Sequence, residues 1–307
     1  MKLPSNADSN AAPIKQDRIT GMDNYSNKKI LAVLAHPDDE TFAIGGTLAF
    51  YTSRGAQVDL ICTTHGESGD VSPEYLENYS SIAELREAEL RCAAETLGIH
   101  QVIFLKYRDS GMPDTPSNQH PDALMNAPVE QVAAEIALYI RQFQPDVVIT
   151  HDPLGNYFHP DHIATNKATE LAFKLAADTG VSLDGGIAAF QPQGLYNYTM
   201  ARKRMRWLLW VMPLLGMDPK RTGRNGDIDM EKILKTDFPV HVEINFREAD
   251  LIREKASKCH ASQGGGQRTM TMYGRLRRAL AASTDAYMQI YPRPQNGHVR
   301  RDFFDPN

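Results

Sequence analysis

Two short runs hold most of the side chains that could do chemistry: His36-Pro37-Asp38-Asp39-Glu40 and His159-Pro160-Asp161-His162. His36 and Asp39 lie three positions apart, as do His159 and His162. One helical turn would bring each pair to a single face. Two histidines and a carboxylate make a good ligand set for a divalent ion. Three protein ligands leave a fourth place open for water, which is what catalytic zinc requires. The same trio is also the facial triad of non-haem iron oxygenases, so Fe2+ or another divalent metal is the alternative to Zn2+. Spacing does not choose between Asp38 and Asp39 as the acidic ligand.

These runs need elements to position them. Ile30 to Ala35 is a continuous apolar run, suited to a strand buried on both faces. Thr41 to Arg54 reads as a helix ending near Gly55, and Gln57 to Thr63 as a second strand. Ile82 to Leu97 is an amphipathic helix stopped by Gly98. Val102 to Leu105 is the third strand, Val129 to Phe143 a helix, and Val147 to Thr150 the fourth strand. A helix follows from His162 to Asp178. This alternation predicts an α/β fold, Rossmann-like and doubly wound, with a mostly parallel sheet and helices on both faces.

Later segments are less regular. Strands are expected near Leu195–Met200 and Pro239–Asn245, then a helix over Phe246–His260, a break at Gly264-Gly265-Gly266, and a basic helix. Residues 1–27 read as a loose polar tail, 28–263 as the catalytic domain, and 264–307 as a C-terminal helix and polar tail on the same domain.

Ligands of open α/β sheets sit beyond the carboxyl ends of the strands. There the chain delivers His36 to Glu40, then His65-Gly66-Glu67, then Asp109-Ser110-Gly111, then His151-Asp152 through His162. The glycine fingerprint of dinucleotide binding is absent after the first strand.

The chain has 307 residues, 42% hydrophobic and 23% charged, which excludes a disordered or fibrous protein. A net charge of -5 argues against nucleic acid as a partner. Residues 1–27 lack an apolar signal core, and the longest apolar run, Trp207 to Leu215, is too short to span a bilayer. Three cysteines, Cys62, Cys92 and Cys259, suggest small core residues in a reducing compartment, so a cytoplasmic location is expected.

At Ala35-His36-Pro37-Asp38-Asp39-Glu40 and His159-Pro160-Asp161-His162 the sequence resembles the LmbE-like family of zinc-dependent de-N-acetylases. Further similarity lies at Gly66-Glu67, Arg86, Glu89-Leu90, Asp109 to Met112, and Lys255 through Ser262-Gln263. The resemblance implies that His36, Asp39 and His162 bind one Zn2+, that Asp38 is the general base, and that a protonated His159 stabilises the oxyanion. It places Tyr157 near the reacting carbonyl and Glu67, Arg86 and Asp109 along the sugar pocket. Asp161 would orient His159 from behind.

The implied reaction is attack of metal-activated water on the amide of an N-acyl amino sugar, releasing acetate and an amine. The partner is thus a small-molecule amino-sugar substrate, and a homo-oligomer is allowed. An amidase of a thiol conjugate is the nearest alternative. His65, His241 and His260 read as loop or packing residues, with His260 able to approach the site; His151 and Asp152 read as structural, with support of the site residues from behind as the alternative. Arg202 to Arg206 leading into Trp207-Leu208-Leu209-Trp210 suits a subunit interface or a substrate lid, with membrane contact or plain core as alternatives.

Overall fold

The computed structural model describes residues 24–183, 186–199, 206–214, 216–222, 226, 229–266, 283–294 and 297–305. Its centre is a seven-stranded sheet of order β3-β2-β1-β4-β5-β7-β6. The strands are β1 (Lys29–Leu34), β2 (Gln57–Thr64), β3 (Gln101–Tyr107), β4 (Val147–Thr150), β5 (Gly194–Thr199), β6 (Val242–Asn245) and β7 (Thr284–Tyr291). β1 to β5 pair in parallel, whereas β7 runs antiparallel between β5 and β6.

The strand pattern explains the layers. Along β1, Ile30, Ala32 and Leu34 enter one core and Leu31 and Val33 the other. The helices that cover the sheet are α1 (Asp39–Phe42), α2 (Gly45–Thr52), α3 (Ile82–Leu97), α4 (Val129–Phe143), α5 (Gly155–Phe158), α6 (Pro160–Ala177), α7 (Leu208–Leu214), α8 (Met230–Lys235) and α9 (Asp250–Cys259). Leu48 of α2, Leu90 of α3 and Ala256 of α9 pack into the first core. Ile136 of α4 and Ala172 of α6 pack into the second. The expected α/β architecture, doubly wound and mostly parallel, is therefore the observed one. β1 lies between β2 and β4, so crossovers leave it in both directions, and a crevice opens at this switch point.

Three expectations are corrected. The helix expected over Thr41–Arg54 is broken into α1 and α2, and it starts earlier, with Asp38 as its cap. The break brings Gly46 against the Phe246 ring, where a Cβ would stand 2.3 Å from the ring. Residues 284–291, expected as polar tail on the same domain, form strand β7 between β5 and β6. The basic helix expected after Gly266 lies outside the described residues. Tyr25, assigned to the loose tail, is buried against Tyr51 and Phe304.

Cys92 and Cys259 are joined in a disulfide across 167 residues, whereas Cys62 is free and buried as expected. The bridge ties α3 to the end of α9 on the surface, and it removes the cysteine-count argument for a reducing compartment. No helix among the described residues is long and apolar enough to cross a membrane. Trp210 and Leu214 on α7 are 82% and 85% exposed, so they are not core; residues 201–205 of that segment lie outside the described residues.

Candidate active site

The crevice between β1 and β4 is where the two histidine runs meet. His36 and Asp39 follow β1, and His162 lies in the first turn of α6, beyond β4. His36 Nδ1 stands 3.1 Å from His162 Nε2 and 3.5 Å from Asp39 Oδ2, and His162 Nε2 stands 3.3 Å from the same oxygen. A tetrahedral ion with bonds of 2.0–2.1 Å sets its ligand atoms about 3.3 Å apart. The three atoms form a triangle of that size.

The other nitrogen of each histidine is tied down. His36 Nε2 pairs with Asp161 Oδ2 at 3.1 Å, so Nδ1 is the nitrogen that faces the triangle. His162 Nδ1–H donates to Asn156 Oδ1 at 3.3 Å, which leaves Nε2 facing it. Such outer partners fix the tautomer and ring plane of metal-binding histidines. Charge points the same way: Asp38, Asp39, Asp109 and Asp161 gather round these rings, and Arg86 is the permanent cation that faces them among the described residues. A buried excess of carboxylate calls for a cation. Burial opposes ionisation of Asp39, yet His162 and His151 hold its carboxyl well below the usual aspartate range.

Asp38 sits beside this cluster in a backbone conformation that L residues rarely adopt, with φ 131° and ψ -23°. Several bonds hold it there. Its N–H donates to Glu40 Oε2 at 2.9 Å, and its carbonyl accepts from Phe42 N–H at 2.8 Å. Arg86 Nη2 donates to Pro37 O at 2.6 Å and to Asp38 Oδ2 at 3.1 Å. Burial pushes the Asp38 carboxyl up from the ordinary range; Arg86 opposes that push and Asp39 adds to it. Arg86 Nη1 also donates to Gly66 O, and a Cβ on Gly66 would stand 2.2 Å from that nitrogen. Gly66, at φ +69°, is thus the only residue type that admits the arginine.

His159 caps α6: its Nδ1 accepts from Asp161 N–H at 3.2 Å. Burial, and then the neighbouring His36 and His162, lower its pKa well below the ordinary histidine value. With Nδ1 accepting, Nε2 is the nitrogen that faces away from the cap and can bear the ring proton. Asp161 is corrected in its partner. Its carboxylate takes His36 Nε2–H, Ser110 N–H and Ser110 Oγ–H, and only its backbone meets His159.

Tyr157 lies on a tight turn between Asn156 (φ 61°) and Phe158 (φ 71°), with its ring 5.1 Å from that of His162 and 5.8 Å from that of His159. Burial and the nearby aspartates hold its phenol protonated.

The three expected pocket residues divide. Asp109 Oδ1 accepts from Gly111 N–H at 2.8 Å and lies 3.6 Å from His36 Nε2, so it shapes its loop and faces the ring. Arg86 is buried and engaged with protein through both Nη atoms, while its Nε is buried without a hydrogen-bond partner. Glu67 alone keeps an acceptor, Oε2, that is buried without a hydrogen-bond partner.

Three residues were undervalued in the sequence. His151 is fully buried and stacks on His162 with centroids 3.8 Å apart. Its Nε2 accepts from Ala35 N–H and its Nδ1–H donates to Asn156 Oδ1; burial, and then the neighbouring His162, lower its pKa to about 3. Glu40 and His260 form a buried pair at 2.7 Å behind Asp38. Their only sequence signals were position beside the first run and within the Lys255–Gln263 similarity. His65 stacks on Phe104 and bonds Glu87, apart from this cluster.

Known proteins bear on this geometry. The 1D-myo-inositol 2-acetamido-2-deoxy-alpha-D-glucopyranoside deacetylase of Thermobifida fusca is 41% identical over 187 residues, 58% of this chain and 64% of that protein, so the match spans under two thirds of its length. The enzyme of the same name from Geodermatophilus obscurus is 34% identical over 246 residues, 77% of this chain and 83% of that protein. Among solved structures, the N,N'-diacetylchitobiose deacetylase of Pyrococcus horikoshii matches with TM-score 0.59 at 19% identity, over 86% of this chain and 84% of that one. GalB, a 4-carboxy-2-hydroxymuconate hydratase from Pseudomonas putida, matches with TM-score 0.56 at 18% identity, over 89% of this chain and all of that one. A deacetylase and a hydratase sharing one fold means that the fold does not name the reaction. Residues 31–173 match the family described as PIG-L, GlcNAc-PI de-N-acetylase, and with relatives alike over most of their length this chain belongs to that family.

Proposed function

We propose that this protein is a metal-dependent amide hydrolase that removes the acetyl group from an N-acetyl amino sugar, with Zn2+ as the metal. One observation carries the reading: His36 Nδ1, Asp39 Oδ2 and His162 Nε2 form a triangle with edges of 3.1 to 3.5 Å, and a separately held carboxylate, Asp38, stands beside it. A bound divalent ion at these atoms supplies Lewis acidity, polarising a carbonyl and lowering the pKa of water from 15.7 to about 7.

The chain's own residues do the rest. Asp38 takes the proton of the attacking water and passes it to the departing amine. Its raised pKa suits it to both steps. His159 Nε2–H donates to the amide oxygen as charge builds there, a contribution of about 3 kcal/mol for donors of this kind. Tyr157 offers a second hydroxyl donor from the same side. Asp161 and Asn156 hold the rings of His36 and His162, and Arg86 holds Asp38. Glu67 accepts a sugar hydroxyl with its unpartnered Oε2. Asp38 is a hydrolytic base for which an iron oxygenase has no use, and this favours hydrolysis.

The relatives' names supply the substrate class, a 2-acetamido-2-deoxyglucoside of inositol. The test is incubation of the zinc-loaded protein with that glycoside and with simpler N-acetylglucosaminides, read by amine release. Turnover that disappears in Asp38→Asn supports the reading. Absence of amine from every N-acetyl amino sugar offered would overturn it.

A further inference from the structure

Glu40 and His260 are both fully buried, and neither belongs to the metal triangle or to the groups that would meet substrate. Buried ionisable pairs are costly to maintain, and replacing one by apolar residues is often neutral or stabilising. Their retention in the core directly behind the reacting carboxylate calls for a reason. The two oxygens of Glu40 have different tasks. Oε2 accepts the N–H of Asp38 at 2.9 Å, and Oε1 accepts from His260 Nε2 at 2.7 Å and from the Thr41 hydroxyl, the neighbouring residue in the chain. His260 Nδ1 has no hydrogen-bond partner, and the nearest carboxylate oxygen, Glu89 Oε2, is 4.0 Å away. Glu89 is spent on the next turn of chain, accepting from Ser262 N–H and Ser262 Oγ–H at 2.8 Å each.

From these contacts we propose that Glu40 and His260 are a positioning couple, which holds the Asp38 backbone in its strained form so that the carboxylate faces the metal triangle. The inference rests on the reading of Asp38 as the base. A non-glycine residue at φ 131° costs of order 1–3 kcal/mol and persists only where its surroundings over-determine it. Here the determination comes from two sides of one helix. Arg86 on α3 grips Pro37 O and the Asp38 carboxylate. One turn further along α3, Glu89 fixes the Ser262 loop that follows His260. Cys92 of α3 is bonded to Cys259, the residue before His260. The helix that holds the base directly is thus also tied to the segment that holds it through Glu40. A simple core pair would need no link to the strained amide.

His260→Leu removes the donor to Glu40 that comes from outside α1, leaving only the adjacent Thr41 hydroxyl on Oε1, whereas His260→Gln can place an amide N–H near the position of Nε2. With zinc-loaded protein, H260L is expected to lower kcat about 10- to 100-fold, the scale of a catalytic group misplaced by about 1 Å. KM and zinc content should stay at wild-type values. H260Q should stay within about threefold of wild type. Crystals of H260L should show Asp38 relaxed to negative φ, and those of H260Q should keep it positive. If H260L does not fold, His260→Asn, too short to reach Glu40, takes its place with the same expectation. The proposal is overturned if the H260L variant folds with its zinc and keeps kcat, or if both variants lose kcat equally while Asp38 stays in place. Should wild type release no amine from any amide, the functional reading fails by itself. The Asp38 backbone then decides: relaxed without the donor and retained in H260Q supports the couple, and unchanged in both overturns it.

Discussion

Asp161 Oδ2 accepts the Nε2–H of His36 at 3.1 Å, a contact between residues 125 positions apart, and it sets which nitrogen of His36 faces the proposed metal. Asp161→Ala is therefore expected to weaken zinc binding about 10- to 100-fold, the usual loss when an outer carboxylate of this kind is removed. Competition with a chromogenic chelator measures it, and unchanged affinity would show that His36 needs no orienting partner.

Asp38→Asn should keep stoichiometric zinc yet lose about 10²- to 10⁴-fold in kcat, since the amide cannot take a proton. Metal content and turnover measured on one preparation separate this from collapse of the site.

Arg86 opposes the upward push of burial on Asp38, so its removal should raise the Asp38 pKa further. In Arg86→Gln the acid limb of the kcat/KM profile is expected to move to higher pH. A limb that stays put or moves to lower pH would mean that Asp38 does not set it.

Asp285 is buried with its Oδ2 accepting from Thr47 N–H and Oγ1–H, and burial pushes its pKa up to about 6. The folded state then holds this proton more tightly than the unfolded chain, whose aspartates titrate near 3.9. Its contribution to stability is complete below about pH 4 and is lost as pH rises through 6. Asp285→Asn should thus gain on wild type by about 2 kcal/mol between pH 4.5 and 7.5. Urea unfolding of both proteins at the two pH values tests the sign; a variant that loses stability relative to wild type as pH rises would refute it.

The Cys92–Cys259 bridge closes a loop of 167 residues. Cys92→Ser with Cys259→Ser should lower unfolding stability by roughly 3–5 kcal/mol, since long loops gain most from cross-linking. Denaturant midpoints with and without reductant measure it. Reductant should leave the double variant's midpoint unchanged.

Much of the site could be read in advance because its parts are local. Ile30 to Leu34 announces a strand buried on both faces, so His36 to Glu40 had to emerge at a sheet edge. The same holds for Val147 to Thr150 and the run ending at His162. The pairings within the site were less legible. Asp161 sits two residues from His159 and was assigned to it, but the His159 side chain was already spent on capping α6. Arg86 and Asp109 read as pocket residues, and no local pattern showed that Arg86 would also grip Pro37 O and Asp38 or that Asp109 would face the His36 ring.

Sequence by itself determined which strand ends carry ligands, because hydrophobic period and helix stops are encoded within each short segment. It equally pointed to two histidines and a carboxylate on one open edge of the sheet, while the sheet order set β1 beside β4. Tertiary structure alone decided that β7 enters the sheet between β5 and β6, that Cys92 meets Cys259, and that His260 reaches Glu40 across 220 residues. Those contacts depend on how whole layers pack, and no local pattern records a partner so far along the chain.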